Sequence, residues 1–254
     1  LKVRFSESEM IDTLTLEEKL AWGSHHTAEA ESGWDFTPRF RQRCEDHYPI
    51  DLNSYLYIWE KNFALFDTAL GNEQSAKHWE ELAAKRERLM VEYLLDTVTQ
   101  IFHDYDFVRK EHSPVLSAAA FTTLFAGLAS EAQAYAIVHQ VLPMLETDYG
   151  IRACAYPEEA GRYQWGHMNA WAPLHLMTIQ GLTDYGFDDE ARRIAGKYLR
   201  MVARHYAETG KLWEKYNAED GSIQTINEYD MPAFLGWTAG TFNYCMAILE
   251  SSGH

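Results

Sequence analysis

The chain has 254 residues, of which 46% are hydrophobic and 24% charged, enough apolar material to bury a sizeable core. Its 22 Lys and Arg against 38 Asp and Glu give a net charge of −16, a field that repels phosphate backbones and anionic lipid surfaces and so argues against nucleic-acid and membrane partners. Cys44, Cys154 and Cys245 are too few and too far apart for a disulfide framework or a structural zinc site.

The first element in chain order is a helix opening near Thr15, where Thr15-Leu16-Glu17-Glu18 has capping-box spacing. A non-helical loop follows at Glu31–Phe40, turned by Gly33 and Pro38, with Asp35 between Trp34 and Phe36. A second helix is predicted from about Asp51 to Leu70, stopping at Gly71-Asn72. From Glu73 to Asp96 charges are dense. Yet Trp79, Leu82, Ala83, Leu89, Met90, Tyr93, Leu94, Val98 and Ile101 recur at helical spacing, which predicts one buried stripe. Tyr105–Val108 and Ile151–Tyr156 are the strand candidates. A further amphipathic helix covers Asp188–Tyr206, with Asp188 as its predicted N-cap.

Three stretches lack Asp, Glu, Lys and Arg: Ser113–Ser130, Tyr163–Thr183 and Met231–Leu249. Each is long enough to raise the question of a membrane span, but internal His, Asn, Gln, Ser, Thr and Pro answer it in favour of helices buried on nearly all sides. Such helices alternating with amphipathic ones fit two concentric layers, an inner and an outer ring. The expected fold is therefore all-α, an (α/α) toroid, over residues 1–254 as one domain with no linker.

Three loops concentrate chemistry. In the first, a carboxyl group packed against an indole is partly desolvated, which favours its protonated form and suits a general acid; pairing of Asp35 with Arg39, or capping of a backbone amide, is the plainer alternative. The second, Gln164-Trp165-Gly166-His167-Met168-Asn169-Ala170-Trp171, sets flat aromatic faces beside amides. That suits a sugar ring, whose C–H patches stack while its hydroxyls need fixed partners, and it equally suits core packing. The third runs from Glu214-Lys215-Tyr216-Asn217 through Glu228-Tyr229 to Gly236-Trp237-Thr238. Glu228 precedes the last apolar helix, where a carboxylate is stabilised as an anion and could serve as a base or as a cap. His25, His26 and Glu29 lack HExxH spacing, and Asp104 and Asp106 lack the Gly and Glu of a calcium loop, so no metal is expected. His139 and His175 lie in apolar stretches and read as core histidines.

Gly33-Trp34-Asp35-Phe36, Asp51-Leu52-Asn53, Gln164-Trp165 with Asn169 and Trp171-Ala172-Pro173, Glu214-Lys215-Tyr216, Glu228-Tyr229 and Gly236-Trp237-Thr238 occur in an order that resembles the trehalase family of glycoside hydrolases. The resemblance spans Glu31 to Trp237. It implies a six-hairpin (α/α) toroid, here its C-terminal portion and so incomplete at the N-terminus, and inverting hydrolysis of an α-linked glucose disaccharide without a cofactor. The family's general acid falls on Asp35 and its general base on Glu228. Trp34, Arg39, Gln164, Trp165, Asn169, Trp171 and Trp237 fall at expected sugar contacts. Inversion requires the two carboxyls to stand about 6.5–9.5 Å apart, leaving room for water.

The sequence departs from the family pattern at Gly166, where an aspartate is usual, and at Ser222–Asn227, where a glycine-rich lid is usual. The family's N-terminal signature has no counterpart beyond a weak one at Arg4–Glu7. These departures, with His167, keep open another small α-glycoside, such as a glucosyl- or mannosyl-glycerate. A carbohydrate-binding toroid fragment without turnover is the alternative from a different class. No basic region followed by an apolar run opens the chain. The acidic charge and unpaired cysteines point to the cytoplasm, although a start at Leu1 would also suit a piece whose leader has been removed.

Overall fold

The computed structural model describes residues 13–155, 163–227, 229–233 and 236–250. Glu228 and Arg4–Glu7 lie outside the described residues. Nine α-helices are described: α1 (Leu16–Glu31), α2 (Ile50–Ala69), α3 (Glu73–Tyr93), α4 (Thr122–Phe125), α5 (Glu131–Ala136), α6 (Leu142–Leu145), α7 (Ala172–Asp184), α8 (Asp188–Thr209) and α9 (Gly236–Glu250). Helices α2 and α3 form a hairpin; α2 packs on α4, α4 on α7, and α7 on both α8 and α9. Inner helices thus alternate with outer ones, the arrangement of an (α/α) toroid.

Local sequence explains the boundaries. Thr15 and Glu18 make the reciprocal bonds of a capping box at the start of α1. Helix α8 begins at Asp188 with Phe187 in the cap position, so Asp188 is the first helical residue rather than the predicted cap. With Asp189 and Glu190 it places three carboxylates in the first turn, where the helix dipole stabilises them. Between α5 and α6 the helix widens to a π turn at Ile137–Val141. Pro143 lies just beyond it and has no N–H for the His139 carbonyl, a local mismatch that a widened turn accommodates.

The first charge-free stretch is not one long helix. A 3-10 turn at Ala118–Phe121 and the short α4 carry it, and both are buried. The inner helices approach closely here: a Cβ on Gly181 of α7 would stand 2.9 Å from the Phe125 backbone nitrogen and 2.8 Å from the Leu124 Cβ. The second stretch forms α7, whose Leu174, His175, Thr178, Ile179 and Leu182 are all buried. The third forms α9, where Thr238, Thr241 and Cys245 are the described buried residues. Helix α9 packs mainly against α7 and α8 and keeps one face open, contrary to all-round burial. Val98, predicted on the α3 stripe, is 90% exposed because α3 ends at Tyr93. His139 is exposed and stacks on Tyr135 at 3.8 Å, so it is not a core histidine, whereas His175 is one.

Strands are short. Tyr105–Asp106 and Gly150–Ile151 fall at the two predicted regions. The ladder of consequence joins β8 (Asn169–Trp171) to β9 (Lys215–Asn217), antiparallel, numbering strands from β1 (His47–Tyr48) in chain order. It brings the second and third chemistry-bearing loops together. No described helix is long and apolar enough to cross a membrane.

Candidate active site

A cleft of about 350 Å³ opens where the three loops meet. Asp35 lines it together with Trp34, Trp165, Trp171, Trp237 and Tyr229, while Tyr55 and Met177 enter from α2 and α7. The indoles form a continuous wall. Trp34 and Trp165 lie 5.2 Å apart, Trp165 and Trp171 stack at 3.9 Å and 2° from parallel, and Trp237 meets Trp171 edge-on at 5.8 Å. The Trp171 indole N–H donates to the Gln164 carbonyl at 3.0 Å, and that of Trp237 to the Glu214 carbonyl at 3.0 Å, which fixes both rings. Rigid apolar faces beside polar atoms are what a pyranose requires.

Asp35 is half-buried at the edge of this wall. Gln164, itself fully buried, donates from Nε2 to the Asp35 carbonyl at 2.7 Å and stands 3.5 Å from its carboxylate Oδ2. The loop is further held by Glu29, which accepts the Thr37 N–H at 2.7 Å, and by His26, which stacks on Phe36 at 4.2 Å. His26 and Glu29 therefore shape this loop, while His25 faces Glu45 at 3.7 Å, and among the described residues no group of three or more His, Cys, Asp or Glu is arranged to hold a metal ion.

Arg39 does not pair with Asp35, and it does not reach the cleft. It is fully buried, bonded to Asp51 at 2.8 and 3.0 Å and to Asp104 at 2.8 and 2.9 Å, with its guanidinium 4.3 Å from the Trp34 ring centroid. A cation matched to two buried carboxylates commits its donors to them. The structure thus places Arg39 behind the aromatic wall as a support, rather than at a sugar contact.

Asn169 is likewise displaced from its expected contact. Its Nδ2 donates to the carbonyls of Gln164 and Ile226, each at 2.8 Å, and its Oδ1 accepts the Ile226 N–H at 3.2 Å. Gln164 lies beneath Asp35 and is absent from the cleft lining. His167 is not a lining residue either; burial holds its imidazole below the ordinary histidine value.

Three ties flank the position of Glu228: the Asn169 clamp on Ile226, a β-bridge between Trp213 and Ala233, and a 2.8 Å hydrogen bond from the Tyr229 hydroxyl to Glu214. Burial, the Glu214 carboxylate and the nearby Asp35 charge raise the Tyr229 hydroxyl above its ordinary value, which keeps it a donor. Of the predicted site residues, Asp35, Trp34, Trp165, Trp171 and Trp237 share the cleft. Tyr55, Met177 and Tyr229 are lining residues that sequence reasoning missed. The first two sit in helical stretches whose apolar spacing reads as core, and Tyr229 had only its place beside Glu228 to mark it.

The fold is that of an (α/α) toroid carrying a cleft walled by indoles with a carboxyl at its edge, and the sequence profile of the trehalase family matches residues 2–250. The chain belongs to the trehalase family. Its structure is similar to that of neutral trehalase from Saccharomyces cerevisiae, at TM-score 0.79 and 26% identity, covering 94% of this chain and 44% of that one. It also resembles the GH63 mannosylglycerate hydrolase from Thermus thermophilus: TM-score 0.63, 20% identity, covering 84% of this chain and 47% of the other in the complex with Tris. The glucose complex gives 0.62, 21%, 84% and 50%. The chain spans half or less of the length of these relatives.

Proposed function

We propose that this chain carries the catalytic carboxylates of an inverting glycoside hydrolase acting on an α-linked glucose disaccharide, trehalose in the first instance. The observation that carries the reading is Asp35, half-buried at the edge of a four-indole wall with its backbone carbonyl held by Gln164, in a chain of the trehalase family. A glucose ring stacked on that wall presents its glycosidic oxygen to Asp35. Asp35 gives its proton to the leaving oxygen as the anomeric C–O bond breaks. Glu228 takes a proton from a water molecule whose oxygen forms the new bond on the opposite face. The products are two free sugars, and the one carrying the attacked carbon emerges with inverted configuration.

The glycerate alternative rests on His167 and on the rewritten Ser222–Asn227 segment, and His167 is not among the described residues that line the cleft. Membership of the trehalase family makes trehalose the first substrate to test. Proton NMR of the chain incubated with trehalose, glucosylglycerate and mannosylglycerate tests this directly. Early β-glucose from trehalose, with α-glucose appearing beside it from the leaving half, supports the reading. Turnover of a glycerate glycoside alone replaces the substrate, and saturable binding of glucose without any product replaces hydrolysis with binding.

A further inference from the structure

A buried charge pair joins the two halves of this site from behind. Lys215 is fully buried, and its ammonium donates to Glu214 Oε2 at 2.7 Å. The same ammonium stands 3.5 Å from Gln164 Oε1, 4.7 Å from the Trp171 ring and 5.0 Å from the Tyr229 ring. Glu214, 6% exposed, accepts the Tyr229 hydroxyl on its other oxygen at 2.8 Å. An unbroken polar chain thus runs Tyr229–Glu214–Lys215–Gln164–Asp35, from the neighbour of Glu228 to the acid loop.

We propose that the Glu214–Lys215 pair is a positioning device that keeps the two catalytic loops in register, Lys215 acting on Asp35 through Gln164 and Glu214 acting on the Glu228 segment through Tyr229. The proposal rests on the acid and base roles given above. Desolvating two charges is costly, and a hydrophobic pair of similar volume would satisfy packing alone as well or better. What an apolar pair could not do is orient Gln164. With Lys215 at Oε1, the amide must present its N–H groups to Asp35, because an ammonium is only a donor and the oxygen is the only acceptor of that amide. Pair and amide together fix which way the acid loop faces.

The test compares trehalose with α-glucosyl fluoride, whose leaving group departs without needing a strong proton donor. In Lys215→Met, kcat on trehalose is expected to fall about 10- to 100-fold with KM nearly unchanged, since sub-ångström misplacement of a catalytic group costs rate rather than binding. The same variant should lose less on the fluoride, because the acid-side part of its defect is not felt there, while the part that reaches Tyr229 through Glu214 is. Tyr229→Phe, whose hydroxyl meets Gln164 as well as Glu214, should lose on the fluoride as well as on trehalose. Gln164→Met breaks the link while sparing the pair, and should reproduce the Lys215→Met pattern even if that variant folds poorly. Equal losses on both substrates for Lys215→Met and Gln164→Met, or unchanged kcat, overturn the positioning role. So does a crystal structure of Lys215→Met in which Gln164 still donates to Asp35. A wild-type chain inactive on both substrates overturns the hydrolase reading itself, a result distinct from any of these.

Discussion

The Arg39 guanidinium lies 4.3 Å from the Trp34 ring centroid, with its remaining directions taken by Asp51 and Asp104. The first indole of the cleft wall thus rests on a cation that is itself fully paired, which couples wall rigidity to a buried charge cluster. Removing the cation strands two carboxylates in the interior. Arg39→Met is expected to destabilise the fold by about 3–5 kcal/mol in urea titration, and Arg39→Lys by a comparable amount, because an ammonium cannot make paired bonds to both partners. A normal urea midpoint with weakened sugar affinity would instead return Arg39 to substrate binding.

His175 gives the fold a pH dependence. Its Nε2 accepts the Ile151 N–H at 2.8 Å and its Nδ1 donates to the Trp171 carbonyl at 2.7 Å, so the folded chain requires the neutral ring. Burial pushes its pKa down to about 4. Above about pH 6.5 the ring is neutral in both folded and unfolded chains and native stability is undiminished. As the pH falls from there toward 4, the unfolded chain takes up a proton the folded one refuses, and stability declines by on the order of 3 kcal/mol. Urea midpoints of wild type and His175→Gln between pH 7 and pH 4 should show this slope in the former and its loss in the latter. Parallel slopes would remove His175 as the cause.

Much of this was legible in the sequence, for reasons that can be located. Periodic spacing identified α3 and α8, since one wet face leaves an apolar stripe, as Ala191, Ile194, Ala195, Tyr198 and Val202 show on α8, and the Gly71-Asn72 stop marked the end of α2. The capping box at Thr15 is purely local and was equally readable. Local pattern failed where partners are distant. A three-residue strand such as Asn169–Trp171 has too few residues to show alternation, and its pairing with Lys215–Asn217 is a tertiary fact. Arg39 and Asn169 sit among site residues in sequence, yet their bonds to Asp51, Asp104 and Ile226 turn them inward. Composition revealed that α9 carries no acidic or basic residue before Glu250, but not that one of its faces stays open.

Gly221 shapes the segment leading to Glu228. Its φ is +67°, and a Cβ there would stand 2.2 Å from the Tyr149 ring. Its carbonyl accepts from His205 Nε2 at 2.6 Å and from Arg204, so the turn cannot simply shift aside. Gly221→Ala should destabilise the fold by about 1–3 kcal/mol through overpacking and left-handed backbone strain. On trehalose its kcat should fall more than its KM rises. A variant with wild-type melting temperature and turnover would show that the turn is free to move.

Asn169 and Trp165 separate loop placement from sugar stacking, and their variants should split accordingly. Asn169→Ala leaves the Ile226 N–H and carbonyl without this partner and the Gln164 carbonyl with the Trp171 indole alone, a loss of about 1–3 kcal/mol. Because that clamp precedes Glu228, kcat should drop by roughly 10-fold or more while KM changes little. Trp165→Ala removes the central plate of the wall, between Trp34 and Trp171. Its ring is offered to substrate before and during reaction alike, so KM should rise about 10-fold with kcat less affected. Steady-state kinetics of the two variants on one substrate decides the matter. If Asn169→Ala raised KM and spared kcat, its amide would be touching sugar after all, and the Ile226 clamp would have to open when substrate binds.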